Sequence, residues 1–257
     1  MYRLLPLLLL ACAFPVLAQD GEEPEPPDFD RPGLGFAAST LPRGTFAVEL
    51  GLPSLERERD ADGVRSTQYS GDIELRLGLG QRLELQAFST PWNTLHERPR
   101  GGPTTKTHGA GDSGIALKVA LPTASDDHAW ALLASSSFAT GSGDFSEGGT
   151  QYALGSSYEY SFNARLTGAL YASATRGAGE NSLTWAPSLS VTLTDTLSTY
   201  VEAGFTRTHG APSTAVAGTG LLWRLRPGLQ FDASVDVGLD ADSPDLQAGL
   251  GMSFYFE

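Results

Sequence analysis

The chain has 257 residues and carries 17 Lys and Arg against 30 Asp and Glu, a formal charge of −13, with length enough for one large domain or two small ones. That balance argues against nucleic acid and against an anionic membrane surface as partners. A single cysteine excludes a disulfide framework, and beyond the first residues no apolar run is long enough for a transmembrane helix.

At the N-terminus, Arg3 precedes an apolar stretch from Leu4 to Leu17, and Val16-Leu17-Ala18 is a small-residue cleavage site before Gln19. Residues 1–18 therefore read as a secretory signal peptide. Leu9-Leu10-Ala11-Cys12 faintly resembles a lipoprotein box, but the apolar core before it is short and the chain stays apolar after it. Cleavage after Ala18 leaves a mature chain without cysteine and with a charge of about −14. Residues 19–30 are acidic, Pro-rich and aperiodic, which predicts a solvated, disordered leader. Residues 19–44 as a whole are expected on the periplasmic side of an outer membrane.

From Thr45 the sequence alternates. Phe46, Val48, Leu50 and Leu52 share one face, opposite Ala47, Glu49 and Gly51. Ile73, Leu75, Leu77 and Leu79 oppose Asp72, Glu74, Arg76 and Gly78; after a turn at Gly80-Gln81-Arg82, Leu83, Leu85 and Ala87 oppose Glu84, Gln86 and Phe88. Similar segments follow around Ile115–Leu121, Trp130–Thr140, Tyr152–Tyr160, Leu166–Ala174, Leu183–Leu193, Val201–Phe205, Leu221–Leu225 and Leu229–Val237. Pro187 fits a strand only at a bulge or an unpaired position. The last segment, Leu246 to Glu257, alternates Leu246, Ala248, Leu250, Met252, Phe254 and Phe256 with small or polar residues. A period of two places each set on its own face of a strand.

About twelve such segments, each near the length of a barrel strand, predict an all-β fold: a transmembrane antiparallel up-and-down β-barrel over residues 45–257. Ten residues at roughly 3.3 Å each, tilted near 45°, span on the order of 23 Å, the height of such a barrel's apolar band. The connections alternate in length. Short ones fall at Gly80-Gln81, Ser161-Phe162-Asn163, Asp195-Thr196 and Arg226-Pro227-Gly228, and longer ones at 53–66, 90–111, 141–150, 176–181, 208–214 and 240–244. Pro122 to His128 is the exception, longer than a minimal turn on the short side. Aromatics such as Trp92, Trp130, Tyr158, Trp185, Trp223 and Phe256 lie near segment ends, as interfacial girdles do. A soluble β-sandwich uses the same alternation without the loop asymmetry or the closing aromatic strand. That strand resembles the terminal strand of bacterial outer-membrane barrels, which the barrel-assembly machinery reads. Outer-membrane lipids are then the surrounding partner.

Several stretches resemble the bacterial outer-membrane family named for the phenol meta-degradation pathway, the MetA-like transporters. Arg31-Pro32-Gly33 followed by Leu41-Pro42-Arg43-Gly44-Thr45-Phe46-Ala47-Val48-Glu49 resembles its opening segment, and Glu74 to Leu85 its early hairpin. Gly109-Ala110-Gly111-Asp112 with Lys118 resembles its G-x-G-D-x-x-x-x-x-K element. Ala139-Thr140-Gly141-Ser142 resembles its P-T-G-S loop, with Ala139 in place of proline. The resemblance covers residues 31 to 142 and implies a transport role, with aromatic or hydrophobic compounds suggested by the family's naming.

With the apolar faces toward lipid, the lumen receives Glu49, Asp72, Glu74, Arg76, Glu84, Lys118, Glu159, Arg165, Glu202, Arg224, Asp232 and Asp236. Lipid-facing Arg or Lys at midplane costs roughly 2–4 kcal/mol, which dictates this assignment. Two readings stay open: a buried ion-pair network that fills a narrow barrel, or a lined passage for small solutes whose carboxylate excess favours cations or neutral polar molecules. Residues 90–111 are then a candidate gate at the mouth. Enzymatic alternatives, such as a barrel-borne lipid-modifying hydrolase, would need Ser, His and an orienting group in register. His108 near Asp112, or His209 with Ser213, are the candidates, and all four histidines fall in or beside connections. A structural or adhesion barrel would act through the Gly/Pro-rich 99–111 stretch. No cofactor or metal set is expected; Asp60-Ala61-Asp62-Gly63 and Asp240-Ala241-Asp242 are acidic turns without a complete Ca²⁺ loop.

Overall fold

Alternation in the sequence becomes a closed sheet turned inside out. The computed structural model describes residues 28–60 and 62–257; the expected signal peptide and the start of the acidic leader lie outside the described residues. Within them the strands are β1 (Phe46–Arg59), β2 (Arg65–Gly78), β3 (Leu83–Arg98), β4 (Thr105–Gly109), β5 (Ser113–Ala120), β6 (His128–Phe138) and β7 (Gln151–Asn163). They continue with β8 (Leu166–Gly177), β9 (Glu180–Thr192), β10 (Leu197–Thr208), β11 (Thr214–Arg226), β12 (Leu229–Gly238) and β13 (Leu246–Phe256). All pairings are antiparallel between neighbours, and β13 closes on β1, with Phe46 opposite Phe256 and Glu49 opposite Ser253. Twelve strands make the barrel; β4 stands outside the ring and pairs with the distal half of β3, whose proximal half pairs with β5.

The largest fully buried side chains among the described residues are Arg76, Lys118, Leu41, Gln86, Glu49, Glu84 and Ser253, whereas Leu75, Leu117, Leu154, Val201, Leu221 and Leu250 stand exposed on the outer wall. Only an apolar surrounding makes that distribution stable, so the outer wall faces lipid. Aromatics collar it: Phe46 stacks on Phe256 at the closing seam, with centroids 4.5 Å apart, and Trp185 stacks on Phe205 at 4.3 Å. Prolines sit where the ladder yields. Register shifts occur between Gly51 and Ser54, beside Pro53, and between Ser89 and Trp92, which contains Pro91. Pro187 keeps its pairing with Leu170 of β8 while the β9–β10 ladder skips it, so its missing N–H leaves no rung broken.

Two expected long connections prove to be ordered sheet. β1 and β2 pair out to Arg59 and Arg65, with Asp60 and Val64 hydrogen-bonded just beyond, and β3 with β4 occupies most of 90–111. These ends rise past the apolar band, where no apolar alternation is needed and the strand signal fades. The connection at 176–181 shrinks to a tight turn carrying Ala178 and Gly179 at positive φ.

Candidate functional site

Residues 28–44 do not lie in solvent beside the barrel. They run into its lumen and back as an irregular hairpin whose two ends meet the short-turn end. Asp28 reaches Arg224 near the base of β11 at 3.1 Å; the chain climbs to Leu34, opposite Glu202, and descends past Ala38 and Leu41 to a backbone hydrogen bond from Gly44 to Gly78. Phe29, Ala38 and Leu41 are buried. The solvated leader expected for 19–30 is not what Phe29 and Asp30 form, since both lie against the inner wall: an aperiodic Pro/Gly segment reads as disorder when the walls that pair with it are invisible.

An irregular backbone inside a membrane barrel must find partners for its N–H groups. The wall carboxylates supply them. Glu49 accepts from the amides of Asp30 and Arg31 at 3.0 and 2.9 Å, Glu202 from Leu34 at 3.0 Å, Glu159 from Ala38 at 2.7 Å and Glu84 from Leu41 at 2.8 Å.

Charge is balanced in the same place. The Asp30 carboxylate accepts from Lys118 Nζ at 2.7 and 3.0 Å and from Gln86 Nε2 at 2.8 Å, and lies 3.5 Å from Arg76. Arg76 donates to Glu49 at 2.6 Å and to Glu84 at 2.7 and 3.1 Å, and Arg31 pairs with Asp232 at 3.3 Å. Burial pushes the Asp30 carboxyl up, but the Arg76 and Lys118 cations outweigh it and hold Asp30 below the usual carboxylate range. Asp30, Glu49 and Glu74 bring carboxylate oxygens within 4.8 Å of one another; Arg76 and Lys118 already supply the counter-charge there.

Space for the hairpin comes from glycines on the inner wall. A Cβ on Gly155 would meet Phe36 at 2.9 Å, on Gly204 Leu34 at 2.6 Å, and on Gly78 the carbonyl oxygen of Pro42. Phe36 packs edge-on against Tyr171, centroids 5.7 Å apart, with Lys118 Nζ 5.4 Å from its ring centre. Cavities of about 450, 290 and 270 Å³ surround the hairpin, and Arg31 and Pro32 line all three. The largest reaches the short turn at Asp195 and Thr196, the second lies against Phe88 and Leu133, and the third extends toward Glu56 and Gln68 at the long-loop end.

Of the residues expected in the lumen, Glu49, Arg76, Glu84 and Lys118 form one cluster, Glu159 and Glu202 bind hairpin amides, and Arg224 holds Asp28. Glu74 lines the second cavity, and Asp72 accepts hydroxyl hydrogen bonds from Ser54 and Thr90. Arg165 departs from expectation: it is exposed in the turn between β7 and β8, because β7 ends at Asn163. The alternation places Gln86 on the polar face with Glu84, though not among the candidate lumen residues; Asp30, Arg31, Leu34 and Phe36 carry no strand period, and their one signal is apolar Leu34, Phe36 and Leu41 recurring in a segment otherwise like a linker.

The histidine pairings do not form. His108 Nδ1 bonds Thr94 Oγ1 at 2.9 Å, while Asp112 accepts from the amides of Gly141 and Glu147. Burial raises the Asp112 carboxyl, and those amides together with further hydrogen bonds from the same loop outweigh it and hold it below the ordinary range. His209 and Ser213 are both exposed. Asp60 and Asp240 cap their own turns through Val64 and Asp242.

Solved outer-membrane barrels share the fold at low identity. An outer membrane channel from Pseudomonas putida F1 superposes with a TM-score of 0.69 at 14% identity, over 88% of this chain and 99% of that one. The KdgM porin, solved with disordered oligogalacturonate, gives 0.55 at 9% identity over 79% and 99%, and the NanC porin 0.52 at 9% over 81% and 98%. No curated protein matches the chain in sequence. The profile of the family described as "Putative MetA-pathway of phenol degradation" matches residues 29–256, hairpin and barrel together, and the chain belongs to that family.

Proposed function

We propose that this barrel is an outer-membrane channel for passive passage of small solutes, throttled by its own N-terminal hairpin. The observation that carries the reading is the arrangement of the three cavities, all walled by Arg31 and Pro32 at the head of the hairpin. Each is near or within the range of small-molecule sites, about 300–1,000 Å³, so a shift of those few residues joins a vestibule at one end to chambers reaching the other. The wall carboxylates act first as a cradle for the hairpin and only then as the lining that a solute meets. Both hairpin ends lie at the short-turn end, which supports a periplasmic N-terminus, and β13 offers the assembly machinery its closing strand. The family's description supports aromatic or hydrophobic compounds as the solute class.

The test is swelling of proteoliposomes containing residues 19–257 in isosmotic neutral solutes of graded size. Slow swelling confined to the smallest solutes, accelerated by Leu34→Ser with Phe36→Ser, is expected. Swelling equal to that of protein-free liposomes for every solute, in both proteins, would overturn the passage.

A further inference from the structure

Beyond the apolar band, the sheet formed by β1 to β4 has two faces of opposite charge. Glu56 accepts from Gln247, Glu58 from Ser66, and Gln68 donates to Asn93, which together mark the lumen side. The alternate residues point outward. On that outward face Arg59 lies opposite Arg65 and Arg65 opposite Arg98, a row of three arginines across three strands. One step closer to the membrane runs a second row, Arg57, Thr67, His96 and Lys106. Arg100 lies against the β1–β2 turn at Gly63.

We propose that this outward face binds the phosphate groups of glycolipid headgroups in the surrounding leaflet. Three observations converge. Like charges directly opposite across strands destabilise a sheet unless something of opposite sign lies between them. Arg57, Arg59, Arg65, Arg98 and Lys106 are all exposed, and none makes an ion pair among the described residues. The patch also sits at the right height. Trp92 is exposed on the same wall and Tyr69 lies beside it, and Arg65 is four residues beyond Tyr69, roughly 9 Å higher at about 3.3 Å per residue and 45° tilt. Headgroups occupy that level. Planar guanidinium forks match phosphate oxygens in pairs. The net charge of −13 argues against an anionic surface only when charges are averaged: 6 of the chain's 17 Lys and Arg residues crowd this corner.

The test uses the full chain expressed in an outer membrane, extracted in mild detergent and examined by native mass spectrometry. A phosphorylated glycolipid and the same glycolipid enzymatically dephosphorylated are supplied in equal amount. The wild-type protein should retain the phosphorylated form in roughly tenfold or greater excess, and excess inorganic phosphate should not displace it. Arg59→Gln/Arg65→Gln/Arg98→Gln should lose that preference with unchanged heat-modifiable gel mobility. Arg176→Gln/Arg207→Gln, removing charge elsewhere on the same rim, should keep it. Equal retention of both glycolipids by the wild type, displacement by free phosphate, or an unchanged preference in the triple variant would each overturn the site.

Discussion

Lys118 and Asp30, 88 residues apart in sequence, meet inside the barrel with Nζ 2.7 Å from Oδ1 and 3.0 Å from Oδ2. One is a wall residue of β5 and the other lies in the hairpin, so a single contact ties the occluding segment to the barrel that it closes. Removing one partner of a buried pair costs about 3–5 kcal/mol, because the other charge is left without compensation. Asp30→Asn should therefore lower the free energy of unfolding by an amount in that range, obtained from urea unfolding followed by gel mobility. Lys118→Met should cost less, since Arg76 remains beside Asp30.

The same pair sets a pH response. A carboxyl held below its ordinary value contributes stability that is complete above the unfolded pKa, about 3.9, and is lost as pH falls through the depressed folded value. Amide exchange protection at Ala37, whose N–H donates to Asp30 at 3.0 Å, should fall as the pH drops below about 4. Asp30→Asn should lack that acid step.

Two glycines should respond differently to a methyl group. At Gly78 the new Cβ would meet the backbone oxygen of Pro42, which cannot step aside, so Gly78→Ala should destabilise by about 1–3 kcal/mol. At Gly155 the obstacle is the Phe36 ring, which can turn. Gly155→Ala should fold nearly as well as the wild type and pass more current.

The facing of the strands is testable by charge. Val201 is 57% exposed on the outer wall of β10, and Val201→Arg should cost roughly 2–4 kcal/mol when refolding into lipid vesicles is measured. Ser190, on the wall of the largest cavity, should accept the same substitution at far smaller cost.

What could be read in advance follows from which forces write a period into sequence. Strands crossing lipid must alternate, so Leu75 against Arg76 or Leu117 against Lys118 announces both strand and facing. Past the bilayer that demand ends: Glu56 to Arg59 is charged on both faces, and the ladder there looked like loop. Asp30 and Arg31 carried no period at all, because a hairpin satisfied by partners such as Glu49, Glu202 and Glu84 needs no regular structure of its own. The inward carboxylates were visible, while the backbone amides that they hold were not. Arg165 misled for a simpler reason, since one residue's error in a strand end moves a side chain from lumen to turn.

The most direct test is single-channel current across a planar bilayer, comparing residues 19–257 with the same protein carrying Leu34→Ser and Phe36→Ser. A throttled passage predicts small, steady conductance in the first and several-fold higher conductance in the second, with both folded by gel mobility. Equal conductance in the two, or a folded protein silent in both, would contradict a channel closed by its own N-terminal hairpin.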